Sequence, residues 1–305
     1  MGRGMNMQLN FLSKRKALVA AAALSFSLLA APVQTTYAAE AYTQKDLNAE
    51  LTMAVAWFQN SAEYRELCYQ AYNAALDQVK AAVAHHKQGD KPLAIVLDCD
   101  ETVVDNSAFE AGLIGTNNAY SNATWDEWCA AAQATAMPGA TEYLQAVDKL
   151  GVDIFYVTNR SAKTQLEGSA KNMKAIGFPQ VDAKHLMFKT DTSNKQPRYD
   201  AIMKDYDVVV FMGDNAGDLP IGTYHKMQNE RNAIVDQHQS EFGHKFIVLP
   251  NPTYGDWEPG LYRDGKTSGD YWKLTPEQKS QARNKALKKW VPTKSAQDKQ
   301  AKAAK

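Results

Sequence analysis

Cysteine is scarce, with Cys68, Cys99 and Cys129 the only three in 305 residues. An odd count permits at most one internal disulfide, which Cys68 and Cys129 could form, while Cys99 reads as a small apolar filler on a buried strand. No CxxC pair or Cys/His cluster gives a zinc signature. Net charge is absent too, with 34 Lys+Arg against 34 Asp+Glu. Residues 1–38 hold Arg3, Lys14, Arg15 and Lys16 and no acid, so the remainder has 30 against 34, or −4. That balance excludes the basic surface of a nucleic-acid-binding protein. The apolar run ALVAAAALSFSLLAA at 17–31 is short and alanine-rich for the ~20 residues that a membrane-spanning helix needs.

What is present begins with an address. The basic KRK at 14–16, the apolar run and the small residues of TTYAAEA read as a secretory signal peptide over 1–38, cut near Ala38. No cysteine lies near the cut, so a lipid-modified N-terminus is excluded. The expectation is an exported protein, periplasmic or secreted, with no stable membrane anchor. At 45% hydrophobic and 10% aromatic, the chain is rich enough to bury an α/β core.

Residues 39–92 read as an N-terminal helical region. Thr43 and Asp46 form a cap signature, and Leu47, Leu51, Val55 and Phe58, then Leu76, Val79 and Val83, recur at helical spacing. One or two packed helices are expected, closed by His85 and His86 acting as cations at a helix terminus rather than as metal ligands. After Pro92 the pattern changes. LAIVLD (93–98), VDIFYVT (152–158), HLMF (185–188), DVVVFMGD (207–214) and KFIVLP (245–250) are strand-length apolar runs, with helical patterns at 139–150, 161–177 and 195–204 between them. Near-continuous apolar strands alternating with helices describe a parallel sheet covered on both faces, here a core over 93–250.

Ligands in such sheets gather at the carboxyl ends of the strands. The first strand ends in Asp98 and Asp100, the second in Thr158, Asn159 and Arg160, and the fourth in Asp214 with Asp218 beyond it; Lys195 opens the helix after the third. Four acids, one hydroxyl and one ammonium in a crevice are costly without a divalent cation. Oxygen-only donors favour Mg²⁺. The set suits phosphoryl transfer to a carboxylate. Asp98 is the expected nucleophile, and Asp100, two residues on, the expected general acid and base. Asp98, the Asp100 carbonyl and Asp214 would hold the metal; Thr158, Asn159 and Lys195 would hold the phosphate; Asp218 would orient Lys195 or a metal-bound water.

DCDETVVDNS, YVTNR, Lys195 and GDNAGD stand where the four motifs of the haloacid dehalogenase superfamily stand, and the DxD form resembles its phosphatase branch. DETVVDNS, TWDEWCAAAQATAMPGA, FYVTNR, MGDNAGD and LPNPTYGDWE are similar in order and spacing to the class C acid phosphatases, over residues 44–265. The resemblance implies a Rossmann-like sheet in the order 3-2-1-4-5, Mg²⁺ dependence, an acidic optimum and broad hydrolysis of small phosphomonoesters, often nucleoside monophosphates, as in 5′-nucleotidases. Many relatives carry a lipobox cysteine; this chain lacks one, so membrane attachment is not carried over.

Residues 106–137 interrupt the αβ alternation and are expected to form a small helical cap over the crevice. Trp125 in that insertion and Tyr254 after the last strand are the aromatics expected in the substrate pocket; Trp128 and Trp257 read as packing. Asp105 and Asn106 read as turn residues. A C-terminal loop and amphipathic helix over 251–291 and a disordered lysine-rich tail over 292–305 complete the domain plan. Small phosphomonoesters are the expected partners, with no nucleic acid polymer and with a homo-oligomer left open. A non-catalytic phosphate or nucleotide binder, or another phosphotransferase on the same fold, is the alternative; a binder would not need both Asp98 and Asp100.

Overall fold

Two side-chain caps organise the start of the computed structural model, which describes residues 41–262 and 271–294. The expected signal peptide and residues 295–305 of the expected tail lie outside the described residues. Helix α1 (Gln44–Ala49) starts at Thr43, whose hydroxyl accepts from the Asp46 N–H while the Asp46 carboxylate accepts from the Thr43 N–H, the reciprocal box its sequence announces. Helix α2 (Thr52–Asn60) ends at Ser61, which is extended and caps α3 (Ala62–His85) through its hydroxyl. The region therefore holds three helices rather than one or two, because α1 ends at its cap Glu50 and Ser61 then ends α2 and starts α3. The Nδ1 of His85 lies 2.7 Å from the Ala81 carbonyl, a helix-terminus contact.

Strands and helices then alternate: β1 (Leu93–Leu97), β2 (Val104–Asp105), α4 (Ser107–Leu113), α5 (Asn122–Ala131), β3 (Thr135–Ala136), α6 (Ala140–Lys149), β4 (Asp153–Ser161), α7 (Leu166–Ala175), β5 (Leu186–Lys189), α8 (Gln196–Asp205), β6 (Asp207–Gly213), α9 (Gln228–Gln237), β7 (Phe246–Val248), α10 (Trp257–Tyr262) and α11 (Pro276–Ala286). Five strands form one parallel sheet in the order β5-β4-β1-β6-β7. Side chains alternate across it with the period of two. Ile95, Leu97, Ile154 and Tyr156 pack with α3, α6 and Met173 of α7. Ala94, Val96, Phe155 and Val157 face the other way and pack with Tyr199 and Ile202 of α8. Both faces are covered, which is why the runs 94–97, 154–157 and 208–212 within β1, β4 and β6 carry no charged residue.

The insertion leaves the core at β2 and returns at β3, and these two strands pair antiparallel, Val104 with Ala136 and Asp105 with Thr135. That clasp closes the excursion at its base and leaves α4 and α5 as a helical cap. Asn48 of α1, itself buried, donates its side-chain amide to the carbonyls of Leu113 at 3.0 Å, Thr116 at 3.0 Å and Asn118 at 2.8 Å. At the other end of the chain, Arg283 of α11 pairs with Glu50 at 2.8 Å and with Glu258 of α10 at 2.5 Å. Cys68, Cys99 and Cys129 are all buried free thiols. Among the described residues no helix is long and apolar enough to cross a membrane.

Asn48→Ala removes the donor to three carbonyls, that of Leu113 in a buried contact and those of Thr116 and Asn118 in part-buried ones. It is expected to cost about 1–3 kcal/mol in a denaturant melt, with faster amide exchange over 113–118 than in the parent.

Candidate active site

Every strand of the sheet points its carboxyl end the same way, and the chain after each end bends over one cavity of about 690 Å³. Strand β1 stops at Leu97, and the Asp98 N–H still donates to the Met212 carbonyl of β6 at 3.0 Å. The chain then winds tightly: the N–H groups of Thr102, Val103 and Val104 all reach the Cys99 carbonyl. Glu101 makes this turn with φ +51°, left-handed for a non-glycine residue. Asp98 and Asp100 thereby both line the cavity, although they follow the strand instead of belonging to it.

After β6 the chain doubles back. The Asn215 side chain and Asp218 form a reciprocal cap on the short 3₁₀ turn Ala216–Asp218. Gly213 is required here: a Cβ on it would stand 2.2 Å from the Cβ of Asp218. The outcome is that carboxylate oxygens of Asp98, Asp214 and Asp218 lie within 4.8 Å of one another. Lys195, fully buried at the N-cap of α8, bonds Asp98 Oδ1 and, at 2.7 Å, Asp218 Oδ1. The second oxygen of Asp218 accepts from the Asn215 N–H at 3.0 Å. Asp214 accepts from the Asn251 amide at 2.8 Å.

Asp100 is held by a different set. Arg160 contacts its Oδ1 at 2.7 Å, and the Asn106 amide donates to the same oxygen at 2.9 Å. Arg160 is itself buried and also reaches Asn106 Oδ1 at 3.0 Å and Ser169 at 2.7 Å; its guanidinium carbon lies 5.5 Å from the Trp125 ring centroid. Trp128 donates its indole N–H to Asn106 at 2.8 Å. Asn106 is thus no simple turn residue, whereas Asp105 is one, accepting from the Ser107 N–H at 2.8 Å.

Charge does not balance in this space. Burial pushes the Asp98 carboxyl up to about 7, with Asp218 and Asp100 adding to it and the Lys195 ammonium opposing. Burial and the charges of Asp218 and Asp98 raise Asp214 well above the usual carboxylate range. Burial, Asp100 and Asp214 do the same to Glu101. For Lys195, burial alone would lower its value, but Asp218 and Asp98 outweigh it and hold the proton on. The donors on offer to a divalent cation are carboxylate oxygens, and the residual negative charge is what such an ion would offset.

The pattern defining the HAD superfamily, subfamily IIIB (Acid phosphatase) matches residues 10–257. The chain belongs to this family of acid phosphatases. A solved structure described as the class C acid phosphatase from Bacillus anthracis is similar at 36% identity, with a TM-score of 0.74 over 80% of this chain and 99% of that one. The same Bacillus anthracis enzyme solved with tungstate bound is similar at 37% identity and a TM-score of 0.74, over the same shares. The phosphatase described above is accordingly a phosphomonoesterase.

Of the residues singled out in its sequence, Asp98, Asp100, Asn159, Lys195, Asp214, Asp218, Trp125 and Tyr254 all border the cavity. Thr158 is fully buried within β4 (Asp153–Ser161); its hydroxyl accepts from the Arg160 N–H at 3.1 Å and sits 3.5 Å from Asp100 Oδ2, an acid that borders the cavity. Arg198 donates to the side-chain Oδ1 of Asn159 at 2.7 Å, leaving the side-chain amide nitrogen as a donor. Trp257 donates to the Tyr254 carbonyl at 3.1 Å and packs, as does Trp128. Asn106, Asn251 and Glu110 were not read as site residues; the first two lie in quoted motifs, but an asparagine in a turn has the same local signature whether or not its side chain supports an acid.

A carboxyl whose folded pKa is raised contributes stability that is complete below its unfolded value, ~3.9, and lost as pH rises through the folded one. With chelator present, the melting temperature of the phosphatase is therefore expected to fall between pH ~4 and about 7, in step with Asp98. Melts of Asp98→Asn over the same range check this: the fall should be shallower in the variant.

Proposed function

We propose that this acid phosphatase is an exported, Mg²⁺-dependent enzyme that cleaves small phosphomonoesters, nucleoside monophosphates among them, through an aspartyl-phosphate on Asp98. The observation carrying the reading is the meeting of Asp98, Asp214 and Asp218 within 4.8 Å, with Lys195 bonded to two of them. Asp98, the backbone carbonyl of Asp100 and Asp214 would hold the ion. When bound, Mg²⁺ supplies the positive charge that lets a carboxylate and a phosphate dianion approach each other.

Lys195 holds Oδ1 of Asp98, so Oδ2 is the oxygen left to attack phosphorus. As the Oδ2–P bond forms, the P–O bond to the leaving group breaks, and protonated Asp100 delivers its proton to the departing alkoxide. Arg160 and Asn106 fix Asp100 for this transfer by both contacting its Oδ1. The Asn159 amide and the Lys195 ammonium, which border the cavity, would bind phosphate oxygens. Asp100, now a carboxylate, takes a proton from water; the water oxygen attacks phosphorus, the Oδ2–P bond breaks, and inorganic phosphate leaves with Asp98 restored. Asp218 shares Lys195 with Asp98 and acts as its positioning partner.

Room for a leaving group follows from the cavity, which at about 690 Å³ is far larger than a phosphate. Trp125 and Tyr254 supply aromatic surface for a base or aryl ring, which supports nucleotides within the substrate range. Export rests on the sequence of residues 1–38.

Phosphate release from p-nitrophenyl phosphate and from nucleoside monophosphates tests the proposal. Asp98→Asn is expected to lower kcat by ~10³-fold or more, and EDTA to abolish activity that Mg²⁺ restores. Undiminished turnover in the variant would reject the nucleophile, and undiminished turnover after chelation would reject the metal.

A further inference from the structure

Glu110 has no part in the chemistry above. It lies on α4, in the cap, is only 9% exposed, and borders the cavity that Asp98 and Lys195 close from below. Its carboxylate forms no hydrogen bond or ion pair with another described residue; the charge it senses is the carboxylate of Glu258 on the opposing C-terminal wall. The contrast with Glu258 is plain, since that acid accepts from Arg283 at 2.5 Å and from the Tyr262 hydroxyl at 2.6 Å. Burial, with Glu258 adding to it, pushes the Glu110 carboxyl up to about 7.

A buried acid without a partner costs free energy unless something brings it a donor. The cavity wall includes Leu47 of α1 and Leu113, Tyr120 and Trp125 of the cap, and on its C-terminal side Glu258, Lys279 and Arg283, of which Arg283 is taken up by Glu50 and Glu258. Among the described residues no group hydrogen-bonds the Glu110 carboxyl, so its donor comes from what fills the cavity, water in the free protein and substrate in the complex. The phosphate end of a substrate cannot be that donor: it is anionic, and Asp98 and Lys195 hold it at the strand ends. The leaving group can.

We propose that Glu110 is a specificity residue that accepts a hydrogen bond from a hydroxyl of a sugar-bearing leaving group, so that the cleft favours phosphomonoesters of polyols and nucleosides over those of alcohols without further hydroxyls. This deepens, and rests on, the reading of the cleft as the phosphatase site. An acid whose carboxyl oxygen accepts from a substrate hydroxyl discriminates against the analogue lacking it, because the acid then loses that partner.

The test compares adenosine 5′-monophosphate with 2′,3′-dideoxyadenosine 5′-monophosphate, which share base and phosphate, in the wild type, Glu110→Gln and Glu110→Leu. The wild type is expected to favour the ribonucleotide in kcat/KM by about 10- to 100-fold, chiefly through KM. In Glu110→Leu the ratio should fall to within about twofold of one, while Glu110→Gln, whose amide oxygen still accepts, should keep part of it. A wild-type ratio near one, or a ratio retained in Glu110→Leu, would overturn the assignment. The same would follow if both nucleotides lost activity equally, the mark of a merely structural role. p-Nitrophenyl phosphate separates the two levels of argument: if the wild type cleaves it but shows no nucleotide ratio, the phosphatase reading stands and Glu110 falls; if it cleaves none of the three, the reading of the cleft falls first.

Discussion

One ammonium shared between two buried carboxylates is the contact on which the site depends. Lys195 bonds Asp98 after β1 and Asp218 after β6, and so ties together two strand ends that neighbour each other in the sheet. Remove that proton-bearing group and three acids within 4.8 Å would have only neutral donors such as the Asn251 amide to offset them. Even with it present the acids prevail, since Asp98 is raised by burial and by Asp218 and Asp100, and Asp214 by burial and by Asp218 and Asp98. A second cation, Arg160, is committed to Asp100 and stands apart from this cluster. The site therefore has a division of labour built from charge: one group of acids that needs a further cation, and one acid already paired and positioned beside it.

The sheet makes this crowding possible. Burying β1 on both faces with Ile95 and Leu97 one way and Ala94 and Val96 the other supplies the hydrophobic free energy that lets its carboxyl end carry unfavourable charge. Local irregularities then aim the acids. Glu101 in a left-handed conformation turns the chain so that Asp100 joins Asp98, and Gly213 leaves the space that the Asp218 side chain occupies. Both are local costs accepted next to chemistry. The walls come from elsewhere: Leu47 and Asn48 of α1, the cap, and Lys279 and Arg283 of α11 all border the cavity, so the two ends of the described chain enclose what the middle builds.

Much of this was legible in the sequence because the signal was periodic or positional. Apolar runs of strand length located the five sheet strands within one to three residues, and reading the residue after each run found Asp98, Asp100, Lys195, Asp214 and Asp218, all of which border one cavity. Several asparagines, and Glu110, were opaque for a physical reason. Asn48, Asn106 and Asn251 act through partners 65, 54 and 37 positions away, and nothing local distinguishes them from ordinary turn or surface residues. Glu110 looks like any acid on an exposed helix until the fold buries it against the cleft.

The central claim is that the carboxylates at the ends of β1 and β6 together demand one divalent cation. Equilibrium dialysis of the metal-stripped protein against Mg²⁺, with bound ion counted by elemental analysis, measures it directly. The account predicts saturable binding of one ion per chain that is lost in Asp214→Asn while the circular dichroism spectrum is retained. Absence of saturable binding to the wild type, or equal binding by the variant, would contradict it.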